Sequence, residues 1–205
     1  MNPFVQSASY VLDIIFSVFL FFVILRFLMQ LMRGNFYNPI SQASVKITNP
    51  LLKPLRVVIP GFFGVDLASV VLMLLVQLVF GQLMGLLWLH GVVNPLQLLI
   101  WGILGCLNVV VYITYIAGFI IMIASFVAPF TRNPFVEIAR DLLYPLMAPI
   151  QRVIPPVGGL DFSLLVLFVA VKIFSIFLDY GAMGTGLFSM YPYGLPNSMF
   201  VIGYL

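Results

Sequence analysis

The chain has 205 residues, of which 63% are hydrophobic and 7% are charged, and its mean hydropathy is +1.18. These values exclude a soluble domain and predict an integral membrane protein. The net charge of +3 comes from basic residues scattered between apolar runs. Such residues cannot form a continuous basic face for phosphates, so we predict no nucleic-acid partner.

The first predicted spanning segment follows Asn2-Pro3, a pair suited to a helix cap and a first helical position. Its apolar run, residues 11–32, is long enough to cross a hydrocarbon core of about 30 Å. The run contains two charged residues, Asp13 and Arg26. We expect Arg26 to snorkel to the nearby interface. No basic region precedes the run, which predicts a retained helix rather than a signal peptide.

The segment after this run occurs twice in the chain. Adding 95 to each residue number carries Asn49–Asp66 onto Tyr144–Asp161 without a gap. The shared motif consists of prolines, an arginine and a closing aspartate: Pro50, Pro54, Arg56, Pro60 and Asp66 in one copy, and Pro145, Pro149, Arg152, Pro155 and Asp161 in the other. An internal repeat predicts two similar structural units related by pseudo-symmetry. We place them at 1–92 and 93–182, followed by an apolar tail at 183–205.

The repeated segments, 33–65 and 129–160, are predicted to form elbows between spanning helices. Asn38-Pro39 and Asn133-Pro134 each open a short amphipathic helix that lies in the interface. Each later proline lacks a backbone donor and restrains the residue before it, so we expect the first of these helices to end at Pro50 or Pro54. The rest of each elbow is expected to be irregular.

Three further apolar segments are predicted to span the membrane. The second span, 67–89, begins after Asp66, which we expect to cap it. The third, 94–129, is too long for a perpendicular crossing, so it must tilt, protrude or break near Gly102 and Gly105. The fourth runs from 161 to 180.

Two local patterns belong to these spans. Gly81 and Gly85 form a Gly-x3-Gly pair that favours close helix approach. Trp88, His90 and Trp101 are expected to mark the interface opposite the elbows.

Basic residues predict the topology. Seven of the nine lie in the elbows or just before one: Arg33, Lys46, Lys53, Arg56, Arg132, Arg140 and Arg152. The positive-inside rule therefore places both elbows in the cytoplasm and both termini in the periplasm. The predicted fold is an all-α membrane protein with four transmembrane helices in two tandem, parallel-repeat hairpins, each with an amphipathic, Pro-rich cytoplasmic elbow.

Five polar residues within the spans form a predicted intramembrane network: Asp13, Gln77, Asn108, Lys172 and Asp179. The repeat pairs Asp13 with Asn108 and Gln77 with Lys172. Lys172 follows Asp161 by about 16 Å of helical rise, close to mid-membrane. We expect it to face the bundle interior and to pair with Asp13 or Asp179. A structural network is the preferred interpretation, with an ion or proton path as the alternative.

Catalytic chemistry has little support in the sequence. His90 and Cys106 are the only histidine and cysteine, so we predict no catalytic set, no cofactor and no metal site. Asp66 and Asp161 could form an intramembrane aspartyl pair, but their position before a helix favours capping.

The motif copies NPLLKPLRVVIPGFFGVD and YPLMAPIQRVIPPVGGLD, each between two apolar spans, resemble the YggT family of bacterial inner-membrane proteins. The resemblance covers the chain up to about Tyr180. The second copy departs from the first at Tyr144, which replaces Asn49, and at Arg152, which stands one position beyond the match to Arg56.

The resemblance implies a protein without an assigned catalytic activity, connected with envelope stress, ion homeostasis, division or assembly of membrane complexes. We therefore expect a non-enzymatic scaffold or assembly factor, with a small ion channel or transporter as the alternative. Its expected partners are the lipid bilayer and either other membrane proteins or further copies of the chain.

Overall fold

The computed structural model describes residues 3–61, 64–88, 90–127, 133–154 and 162–185, which form six helices. They are α1 (Pro3–Leu31), α2 (Pro39–Val58), α3 (Leu67–Trp88), α4 (Pro95–Val127), α5 (Pro134–Val153) and α6 (Phe162–Gly184). Four of them, α1, α3, α4 and α6, are long and apolar enough to cross a membrane. Four predicted spans and an all-helical architecture are thus confirmed for the described residues.

Asn-Pro pairs open three of the helices, as the sequence predicts. The Asn38 side chain accepts a hydrogen bond from the Ile40 amide at 2.9 Å, and Asn133 accepts one from the Phe135 amide at 2.9 Å. Asn94 does the same for Leu96 at 3.0 Å. Each cap satisfies an amide that has no partner within the helix.

The expectation that prolines end the elbow helices is wrong. Helix α2 continues through Pro50 and Pro54, and α5 continues through Pro145 and Pro149. The two prolines of each pair stand at positions i and i+4, so both lie on one side of the helix, and all four prolines are exposed. The carbonyl groups that they leave without an amide donor therefore face outward, while the opposite side keeps its hydrogen bonds and packs.

The long third span is one continuous helix, so of the three expected alternatives, tilting, protruding or breaking, the break near Gly102 and Gly105 does not occur. Gly102 instead lets α4 approach α3, since an added Cβ would lie 3.0 Å from the Cβ of Gln77. Gly81 has the same effect, because its added Cβ would lie 2.5 Å from Leu98 Cδ2. The predicted close approach at Gly81 is therefore a contact within the chain.

The six helices pack in two similar groups. α2 packs on α1 and α3, whereas α5 packs on α4 and α6. α1 also packs on α3, and α4 on α6, while α3 packs on α4 and so joins the groups. α3 therefore lies in the middle of the bundle, with helices on two sides.

Trp101, which was expected to mark the interface, does not contact lipid through an exposed ring. It is buried, and its indole Nε1 donates to Thr185 Oγ1 at 3.1 Å. Gln97 Nε2 donates to the Thr185 carbonyl at 3.3 Å. The C-terminal end of α6 is thus fastened to α4.

A substitution at Gly118 would test the packing of α4 on α6. An added Cβ would lie 2.6 Å from Phe168 Cζ, which belongs to a rigid ring. We expect Gly118→Ala to destabilise the purified protein by about 1–3 kcal/mol in spite of the better helix propensity of alanine. Thermal unfolding in detergent measures this. Gly184→Ala is the control, because its Cβ would meet nothing within 4 Å; equal stability of both variants would contradict the packing.

Candidate functional site

The four positions that α2 buries against the bundle are also buried in α5. In α2 the buried stripe is Ser41, Ser44, Thr48 and Leu52. Adding 95 gives Val136, Ala139, Leu143 and Met147, all buried in α5. The spacing of three and four residues places each stripe on one helical face. The two stripes share a register but differ in chemistry, since that of α2 is mostly hydroxyl-bearing and that of α5 is apolar.

The hydroxyl-bearing stripe of α2 receives a buried arginine from α1. Arg26 is 5% exposed, and its Nη1 donates to Thr48 Oγ1 at 2.6 Å and to Asn49 Oδ1 at 2.9 Å. The expectation that Arg26 snorkels to the interface is wrong, because α2 covers it. A buried charge requires such hydrogen bonds to offset the loss of water.

The end of α2 is joined to the start of α3 by an ion pair. Arg56 Nη2 lies 2.5 Å from Asp66 Oδ2, and Arg56 Nε donates to the same oxygen at 3.2 Å. Ser69 Oγ also donates to it at 2.5 Å. The predicted cap by Asp66 is present, because the Ser69 amide bonds the carboxylate as well. The arginine partner was not predicted.

These groups form one cluster, which we call the polar anchor: Arg26, Thr48, Asn49, Arg56, Asp66 and Ser69. Arg26 lies within electrostatic range of both Arg56 and Asp66. Burial raises the pKa of Asp66, but hydrogen bonds from Arg56 and Ser69 and the Arg56 charge outweigh it, so the pKa lies below its ordinary value of 3.8. The carboxylate is therefore ionised at neutral pH and holds α2 to α3.

The polar anchor belongs to the first repeat alone. The residues equivalent to Arg26, Thr48, Asn49 and Arg56 are Ile121, Leu143, Tyr144 and Gln151. Leu143 packs in an apolar cluster with Ala139, Met147 and Leu164. Asp161 and Pro155 of the second motif lie outside the described residues, and Arg152 is exposed at the end of α5. Arg152 therefore does not repeat the role of Arg56, whose matched position is occupied by Gln151.

Two hydrogen bonds join the repeats near the start of α2 and α5. The Asn35 amide donates to Asp141 Oδ2 at 2.8 Å, and Asn38 Nδ2 donates to the Pro134 carbonyl at 2.8 Å. Asn38 thus caps α2 with its oxygen and contacts the other repeat with its nitrogen.

An apolar cavity of about 610 Å³ lies beside these bonds, between α1, α2, α4 and α5. Its lining includes repeat-matched pairs: Phe21 and Ile116, Leu25 and Ile120, Pro39 and Pro134. Both repeats therefore turn equivalent surfaces towards this cavity.

The five residues of the predicted intramembrane network differ in their surroundings. Gln77 and Asn108 are buried, and their amide nitrogens have no hydrogen-bond partner among the described residues. Asp13 is half-buried and accepts from Ser17 Oγ at 3.4 Å. Asp179 is half-buried, with one buried oxygen that no described group bonds.

Lys172 does not face the bundle interior, contrary to expectation. It is exposed in the middle of α6, within electrostatic range of Asp179 but without an ion pair to any residue in the described part. The reason is that, in the described part of the chain, α6 packs on α4 and α5, whereas α3 packs on the three helices α1, α2 and α4. A lysine left in lipid at this depth costs about 2.5–3.5 kcal/mol or more.

The polar anchor can be tested by a double-mutant cycle that copies the second repeat. Thr48→Leu leaves Arg26 buried without its shortest hydrogen bond, which should cost about 1.5–3 kcal/mol. Arg26→Ile removes the charge itself. We expect the double variant to be more stable than the sum of the single effects predicts, as measured by unfolding in mixed detergent micelles. Additive effects would show that the two side chains do not act together.

Acid should weaken the link between Arg56 and Asp66. Because the folded pKa of Asp66 is lowered, its stabilisation is complete above the ordinary value of 3.8 and is lost as the pH falls through the folded pKa. The difference in unfolding temperature between the native protein and Asp66→Asn should therefore be constant near neutral pH and shrink in acid. Glu137→Gln, at an exposed carboxylate, is the control for the charge change. A difference that persists in strong acid would contradict the ion pair.

Comparisons with known proteins give the family. A family model described as CCB3/YggT matches residues 5–87 and 100–182. The uncharacterized protein PA0392 of Pseudomonas aeruginosa is 42% identical over 82% of this chain and 85% of its own length. An uncharacterized protein encoded in the proC 3' region of Vibrio alginolyticus is 34% identical over 82% of this chain and 90% of its own.

The uncharacterized protein YggT of Escherichia coli K12 is 31% identical over 83% of this chain and 88% of its own length. No solved structure matches. The two matched stretches contain most of α1–α3 and of α4–α6 respectively. The chain therefore belongs to the CCB3/YggT family and carries the family unit twice.

Proposed function

We propose that this protein is a non-enzymatic protein of the bacterial inner membrane that serves as a scaffold, or as an assembly or stress-homeostasis factor, for membrane complexes. α2 and α5 are its docking surfaces and lie on the cytoplasmic side. The observation that carries the proposal is the fixed placement of α2, whose inner face is held by the polar anchor while its outer face stays exposed.

The outer face of α2 has a defined chemistry. Lys46 and Lys53 are exposed, and the helix contains no acidic residue. Such a face fits an acidic segment of a partner protein, because complementary charge gives specificity and a fast encounter. On α5, Arg140 and Arg152 are accompanied by the acidic Glu137, so the two surfaces suit different partners.

A rigid surface favours docking over flexible membrane binding. Arg26 ties α2 to α1, the Arg56–Asp66 pair ties it to α3, and Asn38 ties it to α5. A pre-organised surface loses less conformational entropy when a partner binds.

The alternative is a small ion channel or transporter around Asp13 and Lys172. A single copy offers little for it, since two large cavities between its helices are lined by apolar residues. Lys172 also faces outward.

The scaffold proposal is tested by placing a photo-crosslinking residue at Lys53 in the full-length protein, in living cells. We expect discrete protein adducts from this position. Lys46→Glu, seven residues earlier on the same face of α2, should reduce their yield. A crosslinker at Val79, which is exposed on the spanning helix α3, is the control and should give lipid adducts. Lipid adducts alone at both positions would contradict the proposal.

Ion flux into liposomes that contain the purified protein tests the channel or transporter alternative. The pure full-length chain in liposomes should pass no more ions than empty liposomes. Robust flux that Lys172→Met abolishes would overturn the scaffold as the complete account.

A further inference from the structure

We propose that a second copy of this chain covers the open face of α6 with the open face of its α1, in the way that α4 covers α3 within one copy. This inference goes beyond the scaffold role and does not depend on it. It rests on the repeat, which makes α6 the equivalent of α3 and α1 the equivalent of α4.

The contact between α3 and α4 supplies the template. Gly81 faces Leu98, and Gln77 faces Gly102. Shifting each residue by 95 gives the expected pairs between two copies: Ile176 with Pro3, and Lys172 with Ser7. In the first pair the large aliphatic residue lies on α6, whereas in the template it lies on α4.

The burial pattern agrees with this equivalence on α6. Gln77, Gly81 and Gly85 are buried beneath α4. Their counterparts Lys172, Ile176 and Tyr180 are all exposed. The face that α4 covers on α3 is thus exposed at the equivalent positions of α6.

The equivalent face of α1 is open as well. Trp101, Gly102, Gly105 and Val109 of α4 are buried, whereas their counterparts Gln6, Ser7, Tyr10 and Ile14 on α1 are exposed. In the described part of the chain, α6 makes no contact with α1 comparable to that of α3 with α4. Both halves of the missing interface are therefore present and unused in one copy.

The polar residues of the two faces are complementary. Lys172 is exposed at the middle of α6, where lipid is a poor environment for its ammonium group. Opposite Ser7 it would lie within one helical turn of Gln6 and Tyr10. Asp13, on the same α1, is the acidic residue nearest to this point, about 9 Å of helical rise from Ser7. A second copy thus offers the lysine hydrogen-bond acceptors and a negative charge.

The two faces differ from each other. Two copies that use them reciprocally form a closed, isologous dimer, whereas one-way use gives a heterologous contact that further copies continue. In either case each α6 meets the α1 of another copy.

The experiment uses two differently tagged full-length copies expressed together, both with Cys106→Ser to remove the native thiol. One copy carries Ser7→Cys and the other Lys172→Cys. Mild oxidation in membranes should give a disulfide dimer that contains both tags, at about tenfold the yield of a control pair, because a disulfide needs the two Cβ atoms close together. The control replaces Lys172→Cys by Phe177→Cys, an exposed residue roughly 140° around α6.

Three other outcomes would each overturn the proposal. Equal yields from both pairs would mean random collision. Crosslinks that form only after removal of residues 186–205 would mean that the tail covers α6 in the full-length chain. Crosslinks of Lys172→Cys to other proteins in place of the tagged copy would mean a different occupant. Single variants that run at their normal size and remain stable in detergent confirm that the chain folds.

Discussion

A charge enclosed by apolar helices must find hydrogen-bond partners within the protein, and in this chain Arg26 imposes that requirement. Thr48 and Asn49 satisfy it from α2, so α2 has to lie against α1 at one rotation and one height. A guanidinium group has donors in a fixed planar fork, which makes the placement more specific than apolar contact would. The ion pair between Arg56 and Asp66 then fixes the end of α2 against α3.

The second repeat reaches the same helix arrangement by other means. Leu143 replaces Thr48 and is 1% exposed, so volume and apolar burial hold α5 where hydrogen bonds hold α2. Apolar packing tolerates small shifts better than a hydrogen-bonded charge does. The two repeats therefore share a fold while differing in how narrowly it is specified.

Much of the fold follows from the sequence, because hydropathy, Asn-Pro pairs and a gapless repeat each indicate a local structure. The four spans and the caps at Asn38, Asn94 and Asn133 were predictable for this reason. The candidate site was less so. Arg26 and Thr48 are far apart in sequence, and only tertiary packing shows that α2 covers the arginine. The repeat did hold a signal, since Arg26, Thr48 and Asn49 all lose their polar character in the second copy. The prediction that Lys172 faces the bundle interior was wrong because equivalent positions in two repeats need not have equivalent neighbours.

The prolines of α2 have a further consequence for its depth in the bilayer. Pro50 and Pro54 leave the carbonyl groups of Lys46 and Pro50 without their usual amide donors, and the exposed side of the helix carries both prolines. Hydrocarbon cannot donate hydrogen bonds to these oxygens, whereas water and lipid headgroups can. The outer face of α2 must therefore stay at headgroup level, and the same holds for α5 with Pro145 and Pro149. The proline pairs thus disfavour burial of either helix in the hydrocarbon core of the membrane.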